Sequence, residues 1–398
     1  MHIDLEDLRF EHGGALLVKR ALRLAAVGET VTVAGRHPDL TVYLRAWCRT
    51  EGHKLRQVDD SGPGYAGIVR GPAADQRWCT AERAGRADPR VIGAVSDRPS
   101  QRWGLAGRGA LVEAGSPEFH FALDRKMEIW SGDAARMYAQ AAAAQWDPAT
   151  AVPWEAAFDL PVEVEDAIVQ AMTYLIENET AALVVPNRFI AQMHPHFREV
   201  IQLLAVQAAD EARHIEVFTR RALLKRKELG LSTAGGQASL QTLVDEPNFA
   251  IAAFLLSVLG EGTFLNLLWF LERFAPDPVT AAVCRLAAQD EARHVAFGMS
   301  HLREHLEASP SLAGTLMNAV RQRHESLRHT AGLNTEVFDA LVLLAAGSWD
   351  CADIGRGHDA VSTLVREMHS GRKRRLLKLR FSDADAEEMS ALHTRNFM

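Results

Sequence analysis

The chain has 398 residues, 47% of them hydrophobic and 24% charged, which is the balance of a globular protein with a sizeable core and two or three domains. A formal charge of −7 excludes a general attraction to nucleic acid. The four cysteines include no Cys-x-x-Cys pair, so neither a disulfide framework nor a zinc–cysteine site is indicated. The first residues are unlike a signal peptide and the longest apolar runs, such as 249–259, are too short to span a bilayer, so we expect a cytoplasmic protein without membrane contact.

Residues 1–74 predict a small domain of strands and helices. Alternating or β-branched residues predict strands at 3–8, 29–33, 54–58 and 65–69, and helical spacing predicts helices at 15–27 and 40–51. The resulting order is β-α-β-α-β-β, which is typical of a two-layer α/β unit.

Residues 75–125 are rich in Arg, Gly, Pro and Ser, and we interpret them as a linker or irregular extension, with short strands expected at 90–95 and 119–122. Residues 126–398 predict a helical domain whose core bundle covers about 163–306. Helical spacing predicts helices at 163–193, 197–227, 250–274, 279–306, 312–330, 336–346 and 359–370. The fold class is therefore α+β and multidomain, mainly α, with extra helices after the bundle.

One basic run, residues 372–380 (RKRRLLKLR), stands out near the end of the chain. We interpret it as a solvated helix face, with contact to an anionic partner as the alternative.

The pentapeptide Asp-Glu-Ala-Arg-His occurs twice, at 210–214 and 290–294, each time within a predicted long helix. Residues three apart share one helix face, so Glu211 with His214, and Glu291 with His294, can point at the same metal ion. A single such motif is usually a solvated face with a salt bridge. Two copies are typical of dimetal carboxylate bundles, which also need one inward glutamate on each of two other helices.

The helices that precede the two motifs both carry a candidate glutamate. Glu261 is the one carboxylate in an otherwise apolar stretch, where an unpaired charge is unfavourable without a metal or a partner. In the earlier helix Glu179 shares the apolar face, whereas Glu177 points nearly the opposite way; we favour Glu179 and keep Glu177 as the alternative. Glu179 lies 32 residues before Glu211 and Glu261 lies 30 before Glu291, which fits two antiparallel helical hairpins.

The other charged motif residues have a predicted supporting role. A metal-bound histidine usually donates its second ring N–H to a carboxylate. Asp210 and Asp290 are the candidates, each serving the histidine of the opposite motif, and Arg213 and Arg293 are expected to pair with them. The alternative is that all four are surface charges.

With these residues in place, the chain resembles the ferritin-like di-iron carboxylate superfamily over about 163–306. The stretch from Gly260 to Asn266 is similar to the hydroxylase subunits of bacterial multicomponent monooxygenases, and that comparison aligns Glu179 with the first ligand. The ligand set also resembles those of acyl-carrier desaturases and arylamine N-oxygenases. The latter have an additional histidine where this chain has Ala287.

The first domain resembles the small sulfur carriers of TusA type, through strand order and the landmarks Gly28-Glu29 and His37-Pro38. That family carries a Cys-Pro pair at the first helix, where this chain has His12-Gly13-Gly14. Cys48 is expected in the core. We therefore predict a docking or dimerisation role, and a homodimer, rather than sulfur transfer.

The resemblance implies two iron ions, with manganese as the alternative, and O₂ as co-substrate. It implies hydroxylation, desaturation or N-oxygenation of a small organic substrate in a biosynthetic pathway. Because the chain has no nicotinamide or flavin fingerprint, a reductase or ferredoxin must supply electrons. The alternatives are a ferroxidase or iron-storage protein, and a metal-bearing scaffold without turnover.

Overall fold

The computed structural model describes residues 1–59, 64–72, 78–328 and 335–393. It divides into two compact units. The first comprises Met1–Val91 with Ala106–Glu118, and the second comprises Ile92–Leu105 with Phe119–Met398. The domain limits expected at residues 74 and 125 stay predictions.

The first unit contains a four-stranded sheet with two helices. Its elements are β1 (His2–Asp4), α1 (Gly14–Leu24), β2 (Thr30–Gly35), α2 (Leu40–Glu51), β3 (Lys54–Asp59) and β4 (Gly64–Val69). The strand order is β1-β2-β4-β3, with β1 parallel to β2 and the other pairs antiparallel. Alternate residues of β2 and β4, such as Val31 and Ile68, are buried beside Leu44 of α2 and Cys48, the cysteine predicted to lie in the core.

The stretch predicted to be irregular is largely so. Within the described residues it contains the short antiparallel pair β5 (Glu82–Arg83) and β6 (Leu111–Val112). The strands expected at 90–95 and 119–122 were wrong, because those residues form turns and extended chain without a sheet partner.

The second unit is mainly helical. Its helices, within the part of the chain that is described, are α3 (Lys126–Ile129), α4 (Ala134–Ala143), α5 (Val162–Ile190), α6 (Arg198–Ala222), α7 (Ala234–Val244), α8 (Phe249–Ala253), α9 (Gly262–Arg273), α10 (Pro278–Ala308), α11 (Leu312–Leu327), α12 (Thr335–Ala346), α13 (Cys351–Lys378) and α14 (Asp383–Leu392). Helix α5 packs along α6, α9 packs along α10, and α6 also contacts α10.

A π-helical segment, Phe254–Glu261, joins α8 to α9 without a break in the helix. The whole run Phe249–Arg273 is long and apolar enough to cross a membrane by length and composition, and 83% of its most apolar window is buried inside the protein. The helix is longer than the apolar run 249–259 considered in the sequence, because it continues through Glu261 to Arg273. Its composition is also that of a core helix.

The basic run near the end of the chain is only partly the solvated face that was expected. Most of it belongs to α13, which begins at Cys351 and not near residue 359 as predicted. Arg372 is only 1% exposed, and Leu376 and Leu379 are buried on the same side, since positions 372, 376 and 379 repeat with helical spacing. The exposed basic residues of the run are Arg374, Lys378 and Arg380.

A fully paired charged cluster, which we call the arginine network, lies between α5, α6 and the start of α10. Arg221 is completely buried and donates to both oxygens of Glu165, at 2.6 and 3.1 Å. It also donates to Asp277 Oδ2 at 2.8 Å and to Thr280 Oγ1 at 2.8 Å. Asp277 in turn caps α10 by accepting the Thr280 backbone N–H. Each charge therefore has an opposite charge beside it.

Candidate metal centre

Six side chains from the predicted set meet in the core of the second unit. Their ligand atoms form two overlapping groups, in each of which all the atoms lie within 4.8 Å of one another. The first group is Glu179, Glu211, His214 and Glu291, and the second is Glu211, Glu261, Glu291 and His294. Glu211 and Glu291 belong to both groups, which is the arrangement of carboxylates that bridge two ions.

The helices and the π-helical segment each contribute ligands at defined positions. Glu211 and His214 lie one turn apart on α6, and Glu291 and His294 lie one turn apart on α10. Glu261 ends the π-helical segment. On α5 it is Glu179, 1% exposed, that joins the cluster, whereas Glu177 is half-buried and belongs to neither group.

The cluster is closed to solvent, and most of its inward atoms form no hydrogen bonds, although His294 Nδ1 lies 2.9 Å from Glu211 Oε1. All six residues are at most 4% exposed. Within the described chain, eight of their atoms have no hydrogen-bond partner: Oε1 of Glu179, both carboxylate oxygens of Glu211 and of Glu291, Oε2 of Glu261, and Nδ1 of His214 and His294. Because nearly all buried polar atoms in proteins are hydrogen-bonded, eight such atoms facing one another without hydrogen bonds indicate a binding site for cations.

The two imidazoles show where that cation belongs. His214 Nε2 lies 3.1 Å from Asp290 Oδ2, and His294 Nε2 lies 3.3 Å from Asp210 Oδ2, so each histidine reaches the aspartate of the other motif. With Nε2–H donating outward, Nδ1 turns a lone pair inward. His214 Nδ1 then faces oxygens of Glu179, Glu211 and Glu291 at 3.4, 3.3 and 3.4 Å, a contact that a metal ion between them makes favourable.

The ligands change one another's affinity for protons. Burial raises the pKa of Glu179 and Glu261 well above the ordinary carboxyl range, and the charges of Glu211 and Glu291 raise it further. Burial alone would lower the pKa of His214, but Glu179 and the hydrogen bond to Asp290 raise it well above its usual value. Without a metal, these residues therefore hold protons that metal ions would displace.

The four charged motif residues around the ligands form a closed ring. Arg213 Nη2 donates to Asp210 Oδ1 at 2.5 Å and to Asp290 Oδ2 at 2.8 Å. Arg293 donates to Asp290 Oδ1 and lies 3.5 Å from Asp210 Oδ2. Hydrogen bonds from His214 and Arg213 hold the pKa of Asp290 below its usual range despite burial. These four residues are thus not surface charges.

Three neighbours of the centre were missed from the sequence. Just after α4, Gln145 Nε2 donates to Asp210 Oδ1 at 2.7 Å and Trp146 Nε1 donates to Asp290 Oδ2 at 2.8 Å, so adjacent residues hold the two aspartates. Gln207 Nε2 donates to Glu261 Oε1 at 3.2 Å and fixes one oxygen of that carboxylate. Gln207 lies one turn before Glu211 on α6, so helical spacing could have identified it.

The donor set fits a pair of metal ions. It combines four carboxylates with two imidazoles and includes no thiolate, which suits iron and manganese.

No family model and no curated protein matches the sequence. Among solved structures, the chain is similar to two variants of an R2-like ligand-binding oxidase, each with an aerobically reconstituted Mn/Fe cofactor. The first has 14% sequence identity and a TM-score of 0.49, and the second 15% and 0.48. Both matches cover 64% of this chain and 95% of the other.

Proposed function

We propose that this chain is a ferritin-like dimetal oxidase. Glu179, Glu211, His214, Glu261, Glu291 and His294 hold two iron ions, with manganese able to replace iron. O₂ is the co-substrate, and a small organic molecule is hydroxylated, desaturated or N-oxygenated. A separate reductase or ferredoxin supplies the electrons.

The observation that carries the proposal is the set of eight unpaired atoms that converge in a closed core. Four carboxylates at such short range repel one another unless a cation of high charge lies between them. Two divalent ions balance the four negative charges. When bound, such a pair reacts with dioxygen and provides an oxidant for the substrate.

The protein's own residues set the conditions for that chemistry. Asp210 and Asp290 fix the ring orientation of His294 and His214, so that Nδ1 faces inward. Burial excludes bulk water from the centre, which strengthens each electrostatic interaction there. Gln207 leaves only one oxygen of Glu261 free for an ion.

Burial supports a resident cofactor. The six ligands are at most 4% exposed. Gln145 and Trp146 also donate hydrogen bonds to the aspartates behind the two histidines. Metal ions held there would be enclosed by protein on all sides.

Metal analysis of the purified protein tests the centre. We expect about two ions of iron, or iron and manganese, per chain. Glu179→Gln should lower the content to one ion or fewer, because it removes a charged ligand from the first group. Glu177→Gln, two residues away on the same helix, is the matched control and should keep both ions. Equal metal content in the two variants would contradict the assignment of Glu179.

The reaction with dioxygen separates the two functional classes. Reduced protein is mixed with excess ferrous iron and O₂, and oxygen uptake is followed. An oxidase should consume a limited amount of O₂, set by the number of centres. Continued uptake with growth of a ferric mineral would identify a ferroxidase and overturn the proposal.

A further inference from the structure

Three arginines lie among the C-terminal helices, two of them buried and one half-buried. Arg323 on α11 is 8% exposed and Arg372 on α13 is 1% exposed. Arg375, one turn further along α13, is half-buried, and the partial burial lowers the pKa of its guanidinium to about 9. Among the described residues, neither Arg323 nor Arg375 forms an ion pair.

The partners of Arg323 are neutral. Its Nη2 donates to Ser239 Oγ at 2.7 Å and to the Ser239 carbonyl at 3.3 Å, and its Nε donates to Thr242 Oγ1 at 2.8 Å. Its Nη1 lies 3.4 Å from His393 Nδ1. These contacts satisfy hydrogen bonds but supply no negative charge.

The two arginines of α13 also contact neutral groups. Arg372 donates to Thr263 Oγ1 at 3.2 Å and to Ser390 Oγ at 3.3 Å. Arg375 Nε donates to the Val258 carbonyl at 2.7 Å. Its guanidinium lies so close to Gly262 that a Cβ there would be 2.4 Å from Cζ.

The three side chains converge on one end of α14. Ser390, which binds Arg372, and His393, which contacts Arg323, are three residues apart and so share one helix face, with Cβ atoms roughly 5–6 Å apart. After burial, the charges of Arg323, Arg372 and Arg375 are what lowers the pKa of His393.

Donor atoms around this point remain unsatisfied. Within the described chain, His393 Nε2, Arg375 Nη2 and Tyr174 Oη are buried without a hydrogen-bond partner. His393 and Tyr174 are each 5% exposed, and Tyr174 lies close enough to Arg323 to interact with it electrostatically. Each of these three atoms can donate a hydrogen bond to an acceptor that carries negative charge.

The arginine network shows how this protein neutralises a buried guanidinium with its own residues, since Arg221 has Glu165 and Asp277 beside it. No described carboxylate plays that part for Arg323 or Arg375. We propose that Arg323, Arg372 and Arg375 form a binding site for a small oxyanion, either a carboxylate or a phosphate group. Guanidinium forks bind both kinds of oxyanion with paired hydrogen bonds.

The site uses none of the six ligands of the metal centre, so it can be tested whether or not metal is bound. Thermal unfolding of the full chain is measured in sodium phosphate, sodium acetate and sodium chloride at equal ionic strength. We expect Tm to rise with the logarithm of phosphate or acetate concentration but not with chloride, because a ligand that binds only the folded state stabilises it. A rise of Tm in phosphate alone would identify a phosphate site, and a rise in acetate alone would identify a carboxylate site.

Arg323→Met should abolish this concentration dependence. Arg321→Met is the matched control on the same helix, because Arg321 is exposed and paired with Glu388, and it should respond like the wild type. If Arg323→Met does not fold, Arg375→Gln replaces it with the same expected loss. An unchanged response in the Arg323 or Arg375 variant, or no response of the wild type to either oxyanion, would overturn the proposal.

A second arm asks whether residues 394–398 supply the negative charge instead of a free ligand. A chain shortened to end at His393, with its terminus amidated so that no new carboxylate is created, is compared with the full chain in the same salts. Equal responses support a free oxyanion. A response that appears only after shortening would show that the chain neutralises its own arginines, and the proposal would fail.

Discussion

The metal centre and the arginine network share three helices, α5, α6 and α10, and the centre also takes Glu261 from the π-helical segment. Along α5 they are about 21 Å apart, since Glu165 and Glu179 are 14 residues apart. In the network each charge is paired, with four hydrogen bonds from Arg221 to Glu165, Asp277 and Thr280. In the centre eight ligand atoms lack partners within the described chain.

The difference separates two uses of buried charge. A paired cluster stabilises the fold with the chain's own residues, provided that no member is removed. An unpaired cluster is unfavourable for the polypeptide alone and becomes favourable only with an added cation. Three predictions, from the largest expected effect to the smallest, can break or sharpen this contrast.

The first prediction concerns the paired cluster. Arg221→Met leaves Glu165 and Asp277 buried without a counter-charge, and we expect unfolding free energy to fall by about 3–5 kcal/mol. Metal content per folded chain should stay at that of the wild type, measured on the same samples. Arg226→Met removes the exposed pair with Asp166 and should cost under about 1 kcal/mol by urea denaturation. Metal loss in Arg221→Met would mean that the two clusters are not independent.

The second prediction concerns support for the unpaired cluster. Trp146→Phe removes the hydrogen bond to Asp290, which orients His214, and we expect metal affinity to fall by about 10–100-fold in a chelator competition. Trp154→Phe is the control, because it also loses an indole hydrogen bond, here to the Pro148 carbonyl, without touching either aspartate. The metal affinity of Trp154→Phe should equal that of the wild type. An equal loss in both variants would assign the effect to local packing.

The third prediction concerns the metal-free protein. Because the pKa of Glu179 is raised in the folded state, folding takes up a proton there, and stability falls as pH rises above the ordinary carboxyl value of 4.5 towards the folded pKa. Glu179→Gln removes that unfavourable contribution. Metal-free Glu179→Gln should therefore have a higher unfolding free energy than the metal-free wild type at pH 7, measured by urea denaturation, whereas Glu177→Gln should match the wild type. A less stable Glu179→Gln would show that the carboxylate does not destabilise the metal-free fold.

The sequence predicted the core of the centre because the two Asp-Glu-Ala-Arg-His copies and the isolated Glu261 depend on helical spacing alone. The sequence did not decide whether Glu177 or Glu179 is the ligand on α5, because a helical wheel cannot say which face of α5 contacts α6. Gln145 and Trp146 could not be predicted, since they follow a short helix in a stretch without periodicity. Arg221 is the last residue but one of α6 and is adjacent to another arginine, so it resembles a surface charge. The burial of Arg372, by contrast, could have been predicted, because Arg372 shares a helix face with the apolar residues Leu376 and Leu379.

The π-helical segment Phe254–Glu261 has a consequence for the direction of Glu261. Its hydrogen bonds span one residue more than those of an α-helix, so the segment is wound differently from α8 before it and α9 after it. In an α-helix each residue turns the chain by about 100° around the axis, which is more than in the wider π-helical turn. If the same eight residues were wound as a regular α-helix, Glu261 would therefore point in another direction relative to α8, and its carboxylate would leave the cluster although each ligand remained in the sequence. The winding of this segment, as well as the identity of its last residue, places the fourth carboxylate.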